Sequence, residues 1–264
     1  VQIFAAHREQ LQRLNLFLRQ YLPLHLRSLL HLSVRKIGHK LSIAQKNTWR
    51  YTFRMNTFSD FALSVPDILL PKNIDTASWS CIACDQYTQD RNYWKEAEKA
   101  ASGNPSALNL ILPEVYLGDG DKESRIAGIQ AAMKRYIDDG LFEEKHGFVY
   151  VERTTAFGRM RRGLVGAIDL DGYEWKPFSK ALIRATEATI PSRIPPRKAI
   201  RSGAPLEVPH IMLLVNDASD SLVGGAGAAV KASGAAPLYS GNLMMKGGSI
   251  KGRLVPESSE GVLL

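Results

Sequence analysis

Arg184, Arg193, Arg197 and Arg201 fall within eighteen residues of one another, with Glu187 among them and His210 a little beyond. Guanidinium groups grip phosphate or carboxylate through paired N–H donors, and a carboxylate beside them is the kind of group that takes a proton from an attacking hydroxyl. The chemistry this set suits is the binding of a small anion, with Glu187 as candidate base. The plainer alternative is a solvated loop whose arginines pair with nearby carboxylates. Pro191, Pro195, Pro196, Pro205 and Pro209 punctuate the segment. Because proline fixes φ and removes a donor, the sequence predicts that Arg193 to Arg201 is not one regular helix. The whole stretch Leu182 to Asp217 then reads as a stiffened loop running into HIMLLV, an apolar run expected to be a buried strand.

Two further groups of residues bear on chemistry. Asp85 and Gln86 end the run WSCIACDQYT, read as a short strand, and strand ends in α/β folds open onto crevices. Both join the arginines as candidate binding residues. Cys81 and Cys84 form half of a zinc pattern with no second half in the chain, so they are expected to be packed thiols binding no metal. Lys246-Gly247-Gly248 could offer charge and backbone donors to a phosphate, but G-x-x-x-x-G-K-[ST] is absent. So are G-x-S-x-G, H-E-x-x-H, G-x-G-x-x-G and any repeat at solenoid spacing.

The elements that must position these residues follow from periodicity. Arg91 to Ala101 reads as a helix stopped by Gly103-Asn104-Pro105, and Leu108 to Leu112 as a buried strand ended by Pro113. Asp119 or Asp121 is expected to cap a helix with Ile126, Ile129, Met133, Tyr136 and Ile137 on one face, ended by Gly140. Phe148–Thr154 and Leu164–Leu170 read as paired strands. The Ala/Gly tract 222–237 is either a weak helix or a flexible link. The expected fold class is α/β or α+β, a mixed sheet with flanking helices.

Charge is unevenly spread along the 264 residues. The net +8 and pI near 9.5 belong to residues 1–54, which hold ten Lys/Arg and only Glu9 as an acid, leaving the rest near neutral at −1. Nucleic acid is thus not an expected partner. The leucine-rich part of that leader is broken by Arg19, Pro23, His25 and Arg27, so neither a membrane span nor a signal core is expected, and a cytoplasmic setting is the default. The organisation read from composition is a basic leader over 1–54, a body over 55–217 and an Ala/Gly-rich continuation over 218–264. The leader is expected not to be part of the folded body, and upstream sequence translated from a start placed too early explains it better than a transit peptide or a basic amphipathic arm.

WSCIACDQYTQDRNYW, LNLILPEVYL, FVYVERT, RRGLVGAIDLDGYEW, LIRATEATIPSRIPPR, APLEVPHIMLLVND and LMMKGGSIKG together resemble domain-of-unknown-function family 1015 of bacteria, from about Met55 to Val255. The resemblance implies kinship with the ParB/sulfiredoxin-type fold and with kinases that phosphorylate free L-serine, using ATP or ADP with or without Mg2+. Many relatives carry His-Glu-Arg-Thr where this chain has Arg184-Ala185-Thr186-Glu187-Ala188-Thr189. Glu187 would then match the motif's glutamate, while its histidine is replaced. The family also continues into an Asp-Gly-His type motif that this chain does not reach by Leu264, so the resemblance implies an N-terminal part, inactive on its own. A non-catalytic nucleotide- or anion-binding module is the alternative.

Overall fold

The computed structural model describes residues 62–188, 190–208 and 210–257, together with the backbone of Phe4 and Ala5. The expectations for residues 1–54 otherwise lie outside the described residues.

The fold is α+β. Its main sheet has four antiparallel strands in the order β11 (Tyr239–Asn242), β12 (Ser249–Leu254), β5 (Val149–Thr154) and β6 (Met160–Val165). Tyr150 faces Arg253 on one side and Leu164 on the other, so β5 is a central strand. Side chains alternate across it. Phe148 and Tyr150 join Ala226, Val230 and Val255 on one face, and Val149 joins Ile68 and Leu70 on the other. Helix α5 (Val223–Ser233) covers the first face, which resolves the Ala/Gly tract as a helix. Its small residues let it lie close: a Cβ at Gly227 would stand 2.9 Å from the Tyr150 ring.

Strand β3 (Asp67–Pro71) pairs antiparallel with β4 (Phe142–His146). Shorter pairings tie β2 (Leu63–Ser64) to β7 (Ala167–Ile168), β8 (Tyr173–Glu174) to β9 (Ile183–Arg184), and β1 (Phe4–Ala5) to β10 (Leu206–Glu207). Among the described residues, parallel pairing is confined to β8 and β9. The predicted strand over Leu164–Leu170 is formed only in part. Leu164 and Val165 end β6, which begins already at Met160. Ala167–Ile168 form β7 beyond a break at Gly166, where a Cβ would meet the Phe148 ring at 2.8 Å, and Leu170 opens a 3-10 turn.

The largest core gathers around two helices predicted from the sequence. Helix α2 (Arg91–Ala101) begins where the Asp90 carboxylate accepts the Tyr93 N–H, and it buries Trp94, Ala97 and Ala101. Helix α3 (Lys122–Asp138) buries Ile126, Ile129, Ala132, Met133 and Tyr136, while Ile137 falls outside the stripe and is exposed. Asp121 is the N-cap residue of α3, as the sequence allows, and its carbonyl accepts the Arg125 N–H at 2.9 Å. Its carboxylate makes no capping bond: it accepts from Arg125 Nε at 2.9 Å, while Asp119 is held by both terminal nitrogens of Arg91.

Two of the predicted strands, both in this region, are not strands. Residues 107–110 form a 3-10 turn with Ala107, Leu108 and Leu110 buried, fixed by Ser106, whose backbone N–H donates to the Tyr136 hydroxyl. In WSCIACDQYT, Trp79 closes the short helix α1 (Thr76–Trp79), capped by Asp75, and the remainder runs as irregular chain. Short apolar runs satisfy burial without satisfying a ladder, and periodicity cannot tell them apart.

The approach to α5 carries a pH-sensitive contact. Asp217 accepts the Leu222 N–H at 2.7 Å and the Ser219 and Ser221 hydroxyls at 2.8 and 3.1 Å. These donors, the Leu222 amide foremost, lower its pKa to about 2 from the ordinary 3.8. A depressed carboxylate stabilises the fold fully above its unfolded value, and the contribution is lost as pH falls through the folded one. Melting temperature should therefore drop between pH 4 and pH 2, and an Asp217→Asn chain should show a shallower drop across that window.

Candidate functional site

The arginine segment is a helix after all. A 3-10 turn at Pro191–Arg193 leads directly into α4 (Ile194–Ser202), whose first turn contains Pro195 and Pro196. Proline is tolerated there because N–H groups of the first turn have no partner inside the helix. The expectation that the prolines forbid a helix is corrected on this ground. The side chain of Gln130 on α3 fastens the far end, its Nε2 donating to the Ala199 and Ile200 carbonyls at 3.0 Å each.

Arg193 and Arg197 converge on one carboxylate that the sequence did not single out. Arg197 Nη2 lies 2.7 Å from Glu114 Oε1, and Arg193 Nη2 lies 3.1 Å from Oε2. The Glu114 side chain is only 5% exposed, against 38% and 48% for the two arginines. Glu114 opens a 3-10 turn after Pro113, and its backbone N–H donates to the Cys84 carbonyl at 2.8 Å. That bond ties the arginine pair to the loop holding Asp85 and Gln86.

Asp85 and Gln86 are exposed on this loop. Its shape is set by the Gln86 N–H donating to the Ala83 carbonyl, by Tyr87 at φ +48, and by Trp94 Nε1 donating to the Tyr87 carbonyl at 3.2 Å. Tyr87 stacks on Tyr93 with ring centres 4.2 Å apart. Burial raises the Cys84 thiol pKa, the Asp85 and Glu114 charges add to the effect, and Arg197 opposes it. Burial pushes Cys81 up to about 12. Both thiols stay protonated near neutral pH and are poor nucleophiles.

The remaining predicted site residues lie elsewhere. Arg201 pairs with Glu207 at 2.7 Å. Arg184 is exposed in β9, where its backbone pairs with Glu174, and Glu187 is exposed in the bend after it; neither side chain holds an ion pair or hydrogen bond to a described residue. His210 starts an irregular, exposed segment, so the expected buried strand over HIMLLV is not formed. The structure thus joins Arg193 and Arg197, places the Asp85–Gln86 loop beside them, and gives Arg201 a carboxylate of its own. Lys246-Gly247-Gly248 sits in the turn between β11 and β12, where the Gly247 N–H is already given to the Met244 carbonyl.

Chemically, one buried carboxylate holds two guanidiniums that each spend a single terminal nitrogen on it. The triad keeps a net positive charge and most of its N–H donors, in the fork geometry that suits a phosphate or a second carboxylate. Among the described residues no three His, Cys, Asp or Glu side chains cluster to hold a metal, and no helix is long and apolar enough to cross a membrane.

A family model described as "Protein of unknown function (DUF1015)" matches residues 68–256, more than two-thirds of the chain. The chain belongs to the DUF1015 family. The match runs from β3 through β12, so every element that builds the Glu114 triad is part of the DUF1015 unit. No curated protein and no solved structure matches the chain significantly.

Proposed function

We propose that this DUF1015 chain binds the phosphate end of a nucleotide against Arg193 and Arg197, as part of a cytoplasmic phosphotransferase acting on a small hydroxyl-bearing substrate. The observation supporting this reading is the pair of half-exposed guanidiniums held by one nearly buried carboxylate. Such an arrangement presents positive charge and N–H donors already in place, which is most of what phosphoryl transfer asks of a protein. L-serine is the acceptor implied by the family resemblance, and Glu187 is the base. In that step Glu187 takes the hydroxyl proton, the substrate oxygen bonds to the terminal phosphorus, and the bridging P–O bond of ATP or ADP breaks. Mg2+ would arrive with the nucleotide and needs only one or two protein carboxylates, for which Asp85 is suited by its place beside the triad.

A non-catalytic anion-binding module is the second reading. It is favoured by Glu187, which is exposed and has nothing among the described residues to orient it. Titration of the chain with ATP, ADP and inorganic phosphate decides the first point. Binding should weaken about ten- to a hundredfold in Arg197→Ala, the scale of a lost charge-assisted hydrogen bond. Binding indifferent to Arg193 and Arg197 would remove the proposal. Phosphoserine formed from L-serine and lost in Glu187→Gln, with nucleotide binding kept, would separate kinase from module.

A further inference from the structure

Tyr87 is an exposed aromatic residue that its surroundings hold firmly in place. Its ring stacks on Tyr93, with centres 4.2 Å apart and planes 15° from parallel. Tyr93 in turn stands edge-on to the fully buried Trp94 and packs against the largest core. The Tyr87 carbonyl accepts both the Asp90 N–H at 3.1 Å and Trp94 Nε1 at 3.2 Å. Its backbone lies at φ +48, in the left-handed region that a bulky L residue enters only at a cost. A ring covered on one face by Tyr93 and still 51% exposed has its other face open. Phe157, Trp175 and Phe178 are more exposed, yet none makes a ring contact with a described residue. Exposure alone is ordinary for a surface aromatic. An exposed ring that is also stacked, pinned and strained into position is a surface set in advance for a flat partner.

The loop that carries this ring also reaches the arginine pair. The Cys84 carbonyl accepts the Glu114 N–H at 2.8 Å, and the Glu114 carboxylate holds Arg193 and Arg197. From Cys84 to Tyr87 is at most about 11 Å of chain. An extended nucleotide covers a comparable span from its base to its terminal phosphate. On the nucleotide reading of the Arg193–Arg197 pair, we infer that Tyr87 is the stacking platform for the nucleobase. A base laid on the open face continues the Tyr93–Tyr87 stack, and its sugar–phosphate tail leads along the loop toward the two guanidiniums. Aromatic faces hold bases through their π surfaces without reading their edges. The platform therefore separates a nucleotide from a bare phosphate chain, rather than one base from another.

The test is calorimetric titration of the intact chain with ATP and, separately, with inorganic tripolyphosphate. Tyr87→Ala should weaken ATP binding about ten- to a hundredfold, the scale of one lost base–aromatic stack, and leave tripolyphosphate binding unchanged. Tyr87→Phe, which keeps the ring, should bind ATP as the unaltered chain does. ATP binding indifferent to Tyr87→Ala, with both ligands still dependent on Arg197, overturns the platform and leaves the phosphate reading standing. Equal loss of both ligands in Tyr87→Ala, or loss of ATP binding in Tyr87→Phe, overturns it as well, because the residue would then shape the loop and not hold the base. A chain that binds neither ligand removes the phosphate reading and the platform together.

Discussion

A Gly248→Ala chain should lose about 3 kcal/mol of stability and melt roughly 6–12 °C lower, at some 2–4 °C per kcal/mol for a domain of this size. Gly248 has φ +97, well outside the range an L side chain tolerates, and a Cβ there would run into the Thr154 carbonyl oxygen. Both obstacles are backbone, so no rotamer change relieves them. The same residue's carbonyl accepts the Leu243 N–H at 2.8 Å and closes the β11–β12 turn. Next along the chain, Ser249 pairs with Thr154 as the first contact between β12 and β5. The substitution therefore spoils the turn and the register of the central pair together. Denaturant unfolding of the two chains measures the loss, and a change under 1 kcal/mol would show that the turn reshapes freely.

The second expected result concerns the Glu114 triad. Replacing both Arg193 and Arg197 by alanine should cost about 2–4 kcal/mol, because it strands a carboxylate that is 5% exposed. The two ion pairs themselves contribute little, since the guanidiniums are 38% and 48% exposed and water screens them. The cost lies in the orphaned Glu114, so adding Glu114→Gln to the double variant should recover at least half of it. That recovery is the decisive measurement: a triple variant as unstable as the double would place the energy in arginine packing. The single change Glu114→Gln should cost less than the double arginine change, because the arginines it frees can turn to solvent.

How much of this was legible beforehand follows the range of each interaction. Helices α2 and α3 were readable because their apolar residues recur at helical spacing, with Gly103 and Gly140 at their ends. The pairing of β5 with the strand that follows it is legible because the two are adjacent in sequence. The start of β6 at Met160 is not, since Met160 to Gly163 carry a polar, arginine-rich signal that reads as a connector. Short apolar runs were not, since Leu108 to Leu110 and Ile211 to Val215 carry the same local signal and end in a 3-10 turn and in uncovered chain. Helix α4 is hidden in the sequence because Pro195 and Pro196 carry a breaker signal, although in a first turn they are permitted. Within the site, Arg193 and Arg197 were visible as a cluster. Glu114 was not, because it lies 83 positions from Arg197 and carries no motif. Only its place just after Pro113, closing a buried run, could have drawn notice.

The order of strands in the main sheet has a consequence for how the chain is made. Hairpin β5–β6 is complete once residue 165 has left the ribosome, yet β12, which pairs along the other edge of β5, arrives only at residue 254. At translation speeds of 5–20 residues per second that interval is roughly 5–20 s. Throughout it, one side of β5 presents an open row of donors and acceptors to whatever polypeptide passes. The nascent hairpin is then the point at which a holding chaperone or a neighbouring ribosome's product has its longest opportunity.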